Sequence, residues 1–416
     1  MSSDIEVFID FAPGLKRVGT LRRQDRRGGE AVNFEYHASW LRDAARFSLE
    51  PALTLDHGVF ATATGRQLFG SIGDSAPDSW GRRLMQRAER RLADREGRTA
   101  RTLMETDYLL GVSDVSRLGA LRFRRSAEEQ FASPTTEGVP GLIELARLLQ
   151  TTERILRNEE TDEDLRLIFA PGSSLGGARP KASVIDQHGR LAIAKFPKEA
   201  DEYSVETWEA VALQLAVRAG IRTPEHELIR VTQKPVLLSR RFDRDDGMRV
   251  PFLSALSMLG LKDGDRGSYP ELADVLAEHG AETAADVREL YRRMVFNVLI
   301  SNVDDHLRNH GFLWVSPRGW SLSPAYDLNP TPTDVRPRIL TTNIDLDEGT
   351  CDIDMVASVA QYFGLGPTPA KTIIKEVATA TATWREVATT AQAPLSEIRR
   401  MESAFEHSDL TKALAM

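Results

Sequence analysis

The amino-acid sequence predicts an α+β protein whose first half is rich in strands and whose second half is mainly helical. Short stretches of alternating apolar and polar residues, separated by glycine and proline, recur up to about residue 252, and this pattern is typical of β-strands. Beyond that point the apolar residues recur with helical period. The chain of 416 residues also exceeds what one hydrophobic core usually holds. We therefore expect two lobes with a cleft between them.

The predicted strands occur in pairs. A proline and glycine stop separates the first two, and a short turn joins the next two into a hairpin. The strands are expected at residues 6–11, 18–21, 182–186, 191–196, 227–231 and 235–238.

The predicted helices carry boundary signals. Asp78 is placed to cap a basic helix that continues to about Arg95, because Pro77 lies just outside it. A helix over 203–219 should end at Gly220. Further helices are expected at residues 142–156, 163–169, 284–300, 369–388 and 395–414.

The polar stretch 126–141 contains two prolines and indicates a boundary between domains. Together with the change of pattern near residue 252, it divides the chain into an N-terminal subdomain (1–125), a strand-rich lobe (126–251) and a helical lobe (252–416).

Composition limits the class of protein. The net charge of −8 argues against non-specific nucleic-acid binding by the whole chain. Cys351 is the single cysteine, which excludes an internal disulfide and a cysteine-clustered zinc site. No run of 18 apolar residues occurs and the start lacks the features of a signal peptide, so we expect a cytoplasmic protein without membrane contact. Arginines nevertheless cluster at 22–27 and 82–101, either as a solvated helix face or as a docking face for an acidic partner or a phosphate backbone.

The strongest chemical signal is the polar stretch after the helix predicted at 284–300. Phosphoryl transfer needs a carboxylate to orient or accept the attacking hydroxyl proton and an amide oxygen to hold a metal. In the catalytic loop of protein kinases, an Asp and an Asn five positions apart supply these groups. Asp304 and Asn309 have this spacing. His306 and His310 lie four apart, but the general-base glutamate of a zinc protease is missing between them.

A second aspartate follows in the order that kinases use. Two short strands, 311–315 and 320–322, are expected around a turn at 316–319, and the chain then reaches Asp327. A kinase has a metal-binding aspartate at this point of its chain. The sequence therefore favours Asp327 as a metal ligand over a turn residue.

A lysine and a glutamate complete the pattern. Lys195 ends the strand predicted at 191–196, in a stretch similar to the Val-Ala-Ile-Lys element of kinases. The mechanism requires a helix glutamate to pair with this lysine. Glu209 is our candidate, while Glu202 and Glu206, predicted on the same helix, remain alternatives.

A glycine-rich segment precedes the hairpin. Residues 172–181 contain adjacent glycines, Gly176 and Gly177, and end at Lys181. Backbone N–H groups of such a loop can converge on an anion. From the residues alone, a flexible linker explains the segment equally well.

Taken together, the motifs resemble the HipA family of bacterial serine/threonine kinase toxins, whose fold is a distant relative of eukaryotic kinases. Residues 302–309 are similar to the family's Asn-x-Asp-x-His-x-Lys-Asn, with Arg308 in place of lysine. Residues 174–181 resemble its phosphate loop, Ser-x-x-Gly-Ala-x-x-Lys. Residues 239–244 resemble its adenine-lining Glu-Arg-Phe-Asp-Arg element, with Arg240 in place of glutamate, and 74–79 resemble its Leu-Pro-Asp-Ser turn.

The resemblance implies a role for each site residue. Asp304 would be the catalytic base, Asn309 and Asp327 would bind Mg²⁺, and Lys195 would bind the phosphates, with Glu209 as its ion-pair partner. Ser174, or alternatively Ser173, would be autophosphorylated, and its added negative charge would expel the phosphate loop and silence the kinase. Contacts to ATP are implied for Ser174, Gly176, Gly177, Ala178, Lys181, Lys195, Arg240, Phe242 and His306.

The resemblance also implies partners. Family members bind a helix-turn-helix antitoxin of HipB type, reach operator DNA mainly through it, and phosphorylate an aminoacyl-tRNA synthetase to halt translation. Two alternatives remain open. A small-molecule kinase of aminoglycoside-phosphotransferase type is disfavoured by segment 1–125 and the Ser174 loop. An inactive co-repressor scaffold is disfavoured by the retained Lys195, Asp304, Asn309 and Asp327.

Overall fold

The computed structural model describes residues 4–12, 14–26, 29–126, 128–133, 138–169 and 177–416. The chain divides into two compact units. The first contains the described residues up to Glu199 together with Val231–Lys234 and Arg240–Leu253. The second contains Ala200–Arg230, Pro235–Ser239 and Ser254–Met416.

The helices and strands are given in chain order. Before residue 200 they are β1 (Asp4–Phe11), β2 (Gly14–Arg26), β3 (Gly29–Tyr36), α1 (Ala38–Leu41), β4 (Val59–Ala61), α2 (Gly70–Gly73), α3 (Ser79–Glu96), α4 (Glu105–Leu110), β5 (Leu121–Arg125), α5 (Leu145–Arg157), α6 (Asp162–Phe169), β6 (Lys181–Ile185) and β7 (Leu191–Lys195). After it they are α7 (Val205–Arg218), β8 (His226–Val231), β9 (Lys234–Arg240), β10 (Arg244–Asp245), β11 (Met248–Arg249), β12 (Phe252–Ser254), α8 (Ala255–Met258), α9 (Tyr269–His279), α10 (Thr283–Leu299), β13 (Gly311–Ser316), β14 (Gly319–Leu322), α11 (Ile353–Ser358), α12 (Pro367–Thr381), α13 (Trp384–Thr390), α14 (Leu395–Arg400), α15 (Glu402–Phe405) and α16 (Ser408–Ala415). Short 3-10 helices occur at Leu142–Glu144, Leu307–Asn309 and Val359–Phe363.

An antiparallel five-stranded sheet organises the N-terminal part of the first unit, in the order β4-β3-β2-β1-β5. Alternate residues of β1, namely Ile5, Val7 and Ile9, are buried in its core. A side chain at Gly19 of β2 would begin 2.5 Å from the Glu35 carbonyl oxygen, so the close approach of β2 and β3 requires glycine there. The predicted helix after Asp78 is confirmed as α3, because the Asp78 carboxylate accepts a hydrogen bond from the Gly81 N–H.

Two long helices predicted in the second unit are wrong as single helices. Residues 369–388 fall in α12 and α13, and residues 395–414 are divided among α14, α15 and α16. The Phe405 ring stacks on Trp384 at 4.7 Å, and His407 caps α16 by accepting from the Leu410 N–H. These tertiary contacts and caps favour breaks over a continuous helix. The predicted helix at 284–300 is confirmed as α10.

A buried ion network holds the segment after β9 in the first unit. The Arg241 guanidinium donates to Asp243 at 2.5 and 2.6 Å, and both side chains are 1% exposed. Asp243 also accepts from Arg244 and from the Gly119 N–H. Burial alone would raise the pKa of the Asp243 carboxyl, but the positive charges of Arg241 and Arg244 outweigh it and hold the pKa well below its usual range.

We expect Asp243→Asn to lower the free energy of unfolding by about 3–5 kcal/mol, because it leaves the Arg241 charge buried without its counterion. Urea titration measures this, with exposed Asp245→Asn as the control, expected within about 0.5 kcal/mol of the natural protein. Since the folded-state pKa of Asp243 is lowered, the difference should be full above the unfolded-state pKa of about 3.9 and should shrink as the pH falls below it. Equal stability of both variants at pH 7 would contradict the assignment.

Candidate active site

Helix α10 positions the predicted catalytic loop in the second unit. The helix ends at Leu299, and Ser301 takes a left-handed conformation with φ of +53° that turns the chain into residues 302–309. The hairpin of β13 and β14 follows, as predicted, and leads to Asp327. The second unit thus contains the Asp, Asn and Asp of the proposed centre in the expected chain order.

Asn309 closes the loop onto Asp304. Its side-chain Nδ2 donates to the backbone oxygen of Asp304 at 3.2 Å, which defines the orientation of the amide. Asn309 is buried, whereas the Asp304 side chain is 59% exposed. The Asp304 carboxylate forms an ion pair with Arg336 at 3.0 Å, and Arg336 is also more than half exposed. An exposed carboxylate of this kind is accessible to a hydroxyl substrate.

Asparagines attach the Asp327 segment to the same loop. Asp327 has a left-handed backbone with φ of +60°. Asn329 donates from its side chain to the Asp327 backbone oxygen at 3.1 Å, and the Asn329 N–H donates to the Asn302 side-chain oxygen at 3.1 Å. A left-handed non-glycine residue stores strain and is typical of functional sites.

The residue types here fit Mg²⁺. Mg²⁺ is commonly held by one or two carboxylates together with water and substrate phosphates. Asp327 supplies a carboxylate and Asn309 an amide oxygen. Among the described residues, no group of three or more His, Cys, Asp and Glu side chains gathers as a metal cluster would. His310 is buried with Nε2 3.0 Å from Asp305, and the buried Nδ1 of His306 has no partner in the described part of the chain.

The candidate glutamates differ in position. Glu209 is buried in α7 of the second unit, and Glu206 is buried in the first turn of that helix. Glu202 precedes α7 and forms an ion pair with Arg400, so placing it on the helix was wrong. The Glu202 side chain is mostly exposed, so this ion pair contributes little to stability. The pairing of Glu209 with Lys195 stays a prediction.

The first unit brings two predicted phosphate-binding lysines together. Lys181 of β6 stands directly opposite Lys195 of β7, so both side chains project from one face of the hairpin. Like charges in this arrangement repel each other. Asp78 neutralises one of them through a 2.7 Å ion pair with Lys181, in which the side chains are 2% and 3% exposed.

The described end of the predicted phosphate loop is fastened to the start of α3. Ser79 donates to the Gly177 carbonyl at 3.0 Å, and Arg83 donates to the Ala178 carbonyl at 2.7 Å. With the Asp78–Lys181 pair, this makes three attachments within five residues of the loop. Ser173, Ser174 and Gly176 lie outside the described residues.

The element predicted to line the adenine has two faces. Arg241 and Asp243 point into the buried ion network, while Arg240 and Phe242 are partly exposed. The Arg241 N–H donates to the Leu191 carbonyl at 3.0 Å, which places the element beside β7. Roles for Arg240 and Phe242 in ATP binding stay predictions.

The arginines of residues 82–101 mainly form ion pairs within the first unit. Acidic side chains pair with several of them, as in Arg82–Glu105, Arg87–Glu160, Arg98–Glu89 and Arg101–Asp107. This supports the solvated, structural interpretation over an acidic-partner docking face.

The sequence did not predict the Asp304–Arg336 and Asp78–Lys181 ion pairs. Their partners are 32 and 103 positions apart, respectively, and no local spacing connects them. Asp78 did appear in a recognised motif, but only as part of a turn and as a helix cap.

Comparisons with known proteins agree over most of the chain. Residues 173–384 match the HipA-like C-terminal domain, and residues 12–106 match the HipA N-terminal domain. The protein named Putative kinase Y4dM of Sinorhizobium fredii is 34% identical over 33% of this chain and 36% of its own length. Putative kinase Y4mE of the same organism is 24% identical over 73% of each chain. A protein of Haemophilus influenzae with the name Putative kinase is 24% identical, and the match spans about half (52%) of its length.

A solved structure shares the fold. HipA of Shewanella oneidensis MR-1, determined in a complex with HipB and operator DNA, superposes with a TM-score of 0.69 at 18% identity, covering 99% of this chain and 96% of that chain. This confirms the predicted α+β, kinase-like fold with strand-rich and helical parts. The boundaries at 125 and 251 stay predictions. No helix in the described ranges is long and apolar enough to cross a membrane.

We expect Asp78→Asn to lower the free energy of unfolding by about 3–5 kcal/mol, because buried Lys181, which stands opposite Lys195, loses its ion pair with Asp78. Asparagine preserves the cap of α3, so the effect isolates the ion pair. Adding Lys181→Met should recover most of the loss, and a double-mutant cycle by urea denaturation measures the coupling. The exposed Asp304–Arg336 pair is the comparison, and its coupling should stay below about 1 kcal/mol. If the two pairs showed equal coupling energies, the difference in burial could not be the cause of the stability lost in Asp78→Asn.

Proposed function

Because this chain belongs to the HipA family, we propose that it is a Mg-ATP-dependent serine/threonine protein kinase that acts as the toxin of a toxin–antitoxin pair. The observation that carries the proposal is that one loop of the second unit links the three residues. Asn309 is hydrogen-bonded to Asp304 within this loop, and the Asp327 segment is hydrogen-bonded to Asn302 of the same loop. Three of its relatives carry the name putative kinase, which supports the same activity.

In the proposed reaction the Asp304 carboxylate accepts the proton of the attacking serine hydroxyl and orients its oxygen for in-line attack. The exposure of Asp304 suits a macromolecular substrate. Asn309 and Asp327 would hold Mg²⁺, which when bound neutralises charge on the β- and γ-phosphates. Lys195 and Lys181 would contact phosphate oxygens, and the Asp78 pair would limit their mutual repulsion.

The proposed partners follow the relatives. We infer a helix-turn-helix antitoxin of HipB type, because the Shewanella HipA structure contains HipB and operator DNA. With a net charge of −8, this chain would reach DNA mainly through that antitoxin. An aminoacyl-tRNA synthetase is the proposed protein substrate, and inhibition of translation the proposed outcome.

We expect Asp304→Asn to reduce phosphotransfer by about 10²–10⁴-fold, the usual contribution of a general base, while nucleotide binding is retained. The assay follows γ-phosphate label from ATP into purified aminoacyl-tRNA synthetases and into small metabolites, with Asp334→Asn, an exposed partner of Arg400, as the control. Label on metabolites alone would support the small-molecule kinase, and equal growth arrest by the natural protein and Asp304→Asn would support the inactive scaffold.

Autophosphorylation is proposed at Ser174 and should silence the kinase. The described end of the loop is attached through Gly177, Ala178 and Lys181, so a phosphate of about −1.5 to −2 charge at Ser174 would compete with Asp78 for Lys181. We expect Ser174→Ala to remove the added phosphate in intact mass spectrometry and Ser173→Ala to retain it. The reverse result would assign the modification to Ser173.

A further inference from the structure

A continuous chain of buried polar groups runs beneath the loop that holds Asp304. The Tyr269 hydroxyl donates to Asp305 Oδ2 at 2.6 Å, and Asn297 Nδ2 donates to the Tyr269 oxygen at 2.8 Å. Asn302 Nδ2 donates to Asn297 Oδ1 at 3.1 Å. The Asn329 N–H then donates to Asn302 Oδ1 at 3.1 Å. The chain therefore connects the neighbour of Asp304 with the segment of Asp327.

Four of the five residues in the chain are buried, and Asn329 at its end is half-buried. Tyr269, Asn297, Asn302 and Asp305 are each no more than 2% exposed. In a dry site each bond is stronger and each broken bond leaves a costly unpaired group. Burial, followed by the negative charge of Asp305, raises the pKa of Tyr269 well above its usual value, so its hydroxyl stays protonated and remains a donor.

The two ends of the chain are fixed to other elements. The Asp305 carbonyl accepts from both the backbone N–H and the hydroxyl of Thr342, at 2.8 and 2.7 Å. At the other end, the Asn329 side chain donates to the backbone oxygen of Asp327. A shift of either the loop or the Asp327 segment would break bonds in the middle of the chain.

We propose that Tyr269 and Asn297 are positioning residues that set the distance between the carboxylates of Asp304 and Asp327 through this hydrogen-bond chain. The proposal rests on the proposed kinase function. Tyr269 would act only through other residues, because it contacts neither proposed reacting group. If Tyr269 and Asn297 only stabilised the core, their polar groups would still need hydrogen-bond partners. Those hydrogen bonds would not need to link the Asp304 loop with the Asp327 segment.

Tyr269→Phe tests the proposal, and Tyr291→Phe is its matched control. Tyr291 is a fully buried tyrosine of the same unit whose hydroxyl donates to the Val356 carbonyl at 3.0 Å, outside the chain. For Tyr269→Phe we expect the Mg²⁺ concentration at half-maximal activity to rise about tenfold and kcat to fall about tenfold, as for other residues that support metal ligands indirectly. KM for ATP should stay within about twofold, because the variant keeps the contacts that bind ATP equally in the ground state and the transition state. Tyr291→Phe should change neither quantity.

Hydrogen exchange gives a readout that does not depend on activity. Tyr269→Phe should speed exchange of the amides in both 302–309 and 327–331, whereas Tyr291→Phe should speed neither. Faster exchange in only one segment, or equal effects of the two variants, would overturn the proposal. If the natural protein shows no phosphotransfer while exchange behaves as expected, the kinase proposal fails and the coupling of the segments stands.

A second variant guards against loss of folding. Asn297→Leu has nearly the same size, adds no charge, and removes both the donor to Tyr269 and the acceptor for Asn302. We expect the same rise in exchange of both segments. Unchanged exchange in a folded Asn297→Leu protein would also overturn the proposal.

Discussion

The side-chain amide of Asn302 donates to Asn297 in a buried hydrogen bond and accepts from the backbone of Asn329 in a partly buried one, and Asn302 itself is 1% exposed. A buried polar group that loses its partner costs about 1–3 kcal/mol, so the two segments joined by Asn302 are expected to move together. This explains how Ser301 and Asp327 remain in left-handed conformations that L-residues avoid. The geometry around the proposed metal ligands therefore depends on a neutral amide.

Two ion pairs of proposed site residues, one in each unit, differ in their exposure to solvent. In the first unit, the Asp78–Lys181 pair is buried. Removing either partner therefore takes an opposite charge away from a side chain that has almost no access to water. In the second, the Asp304–Arg336 pair is exposed to solvent and therefore weak. A weak pair suits a proposed base, because a substrate hydroxyl can displace the arginine at little cost. A strong pair suits a residue that holds two repelling lysines in place.

The sequence predicted what local spacing determines. Asp304 and Asn309, the hairpin after them and Lys195 at the end of β7 all follow from patterns within a few residues. Helix breaks in the second unit were missed because the Trp384–Phe405 stack joins positions 21 apart, which helical period does not reveal. Tyr269 was missed for the same reason, since its partner Asp305 is 36 positions away. The error at Glu202 was local, because the predicted helix was extended N-terminally beyond Ser204, the residue that caps α7.

The residue types along the buried chain follow from hydrogen-bond chemistry. A tyrosine hydroxyl and an asparagine amide each donate and accept, so Tyr269, Asn297 and Asn302 can pass a hydrogen bond onward. The ends differ, because an ionised Asp305 carboxylate only accepts and the Asn329 backbone N–H only donates. A carboxylate or an ammonium group inside the chain would accept only or donate only, and the run of bonds would stop there. A chain bounded by a pure acceptor and a pure donor has one direction, and its one carboxylate, Asp305, lies at the end next to Asp304.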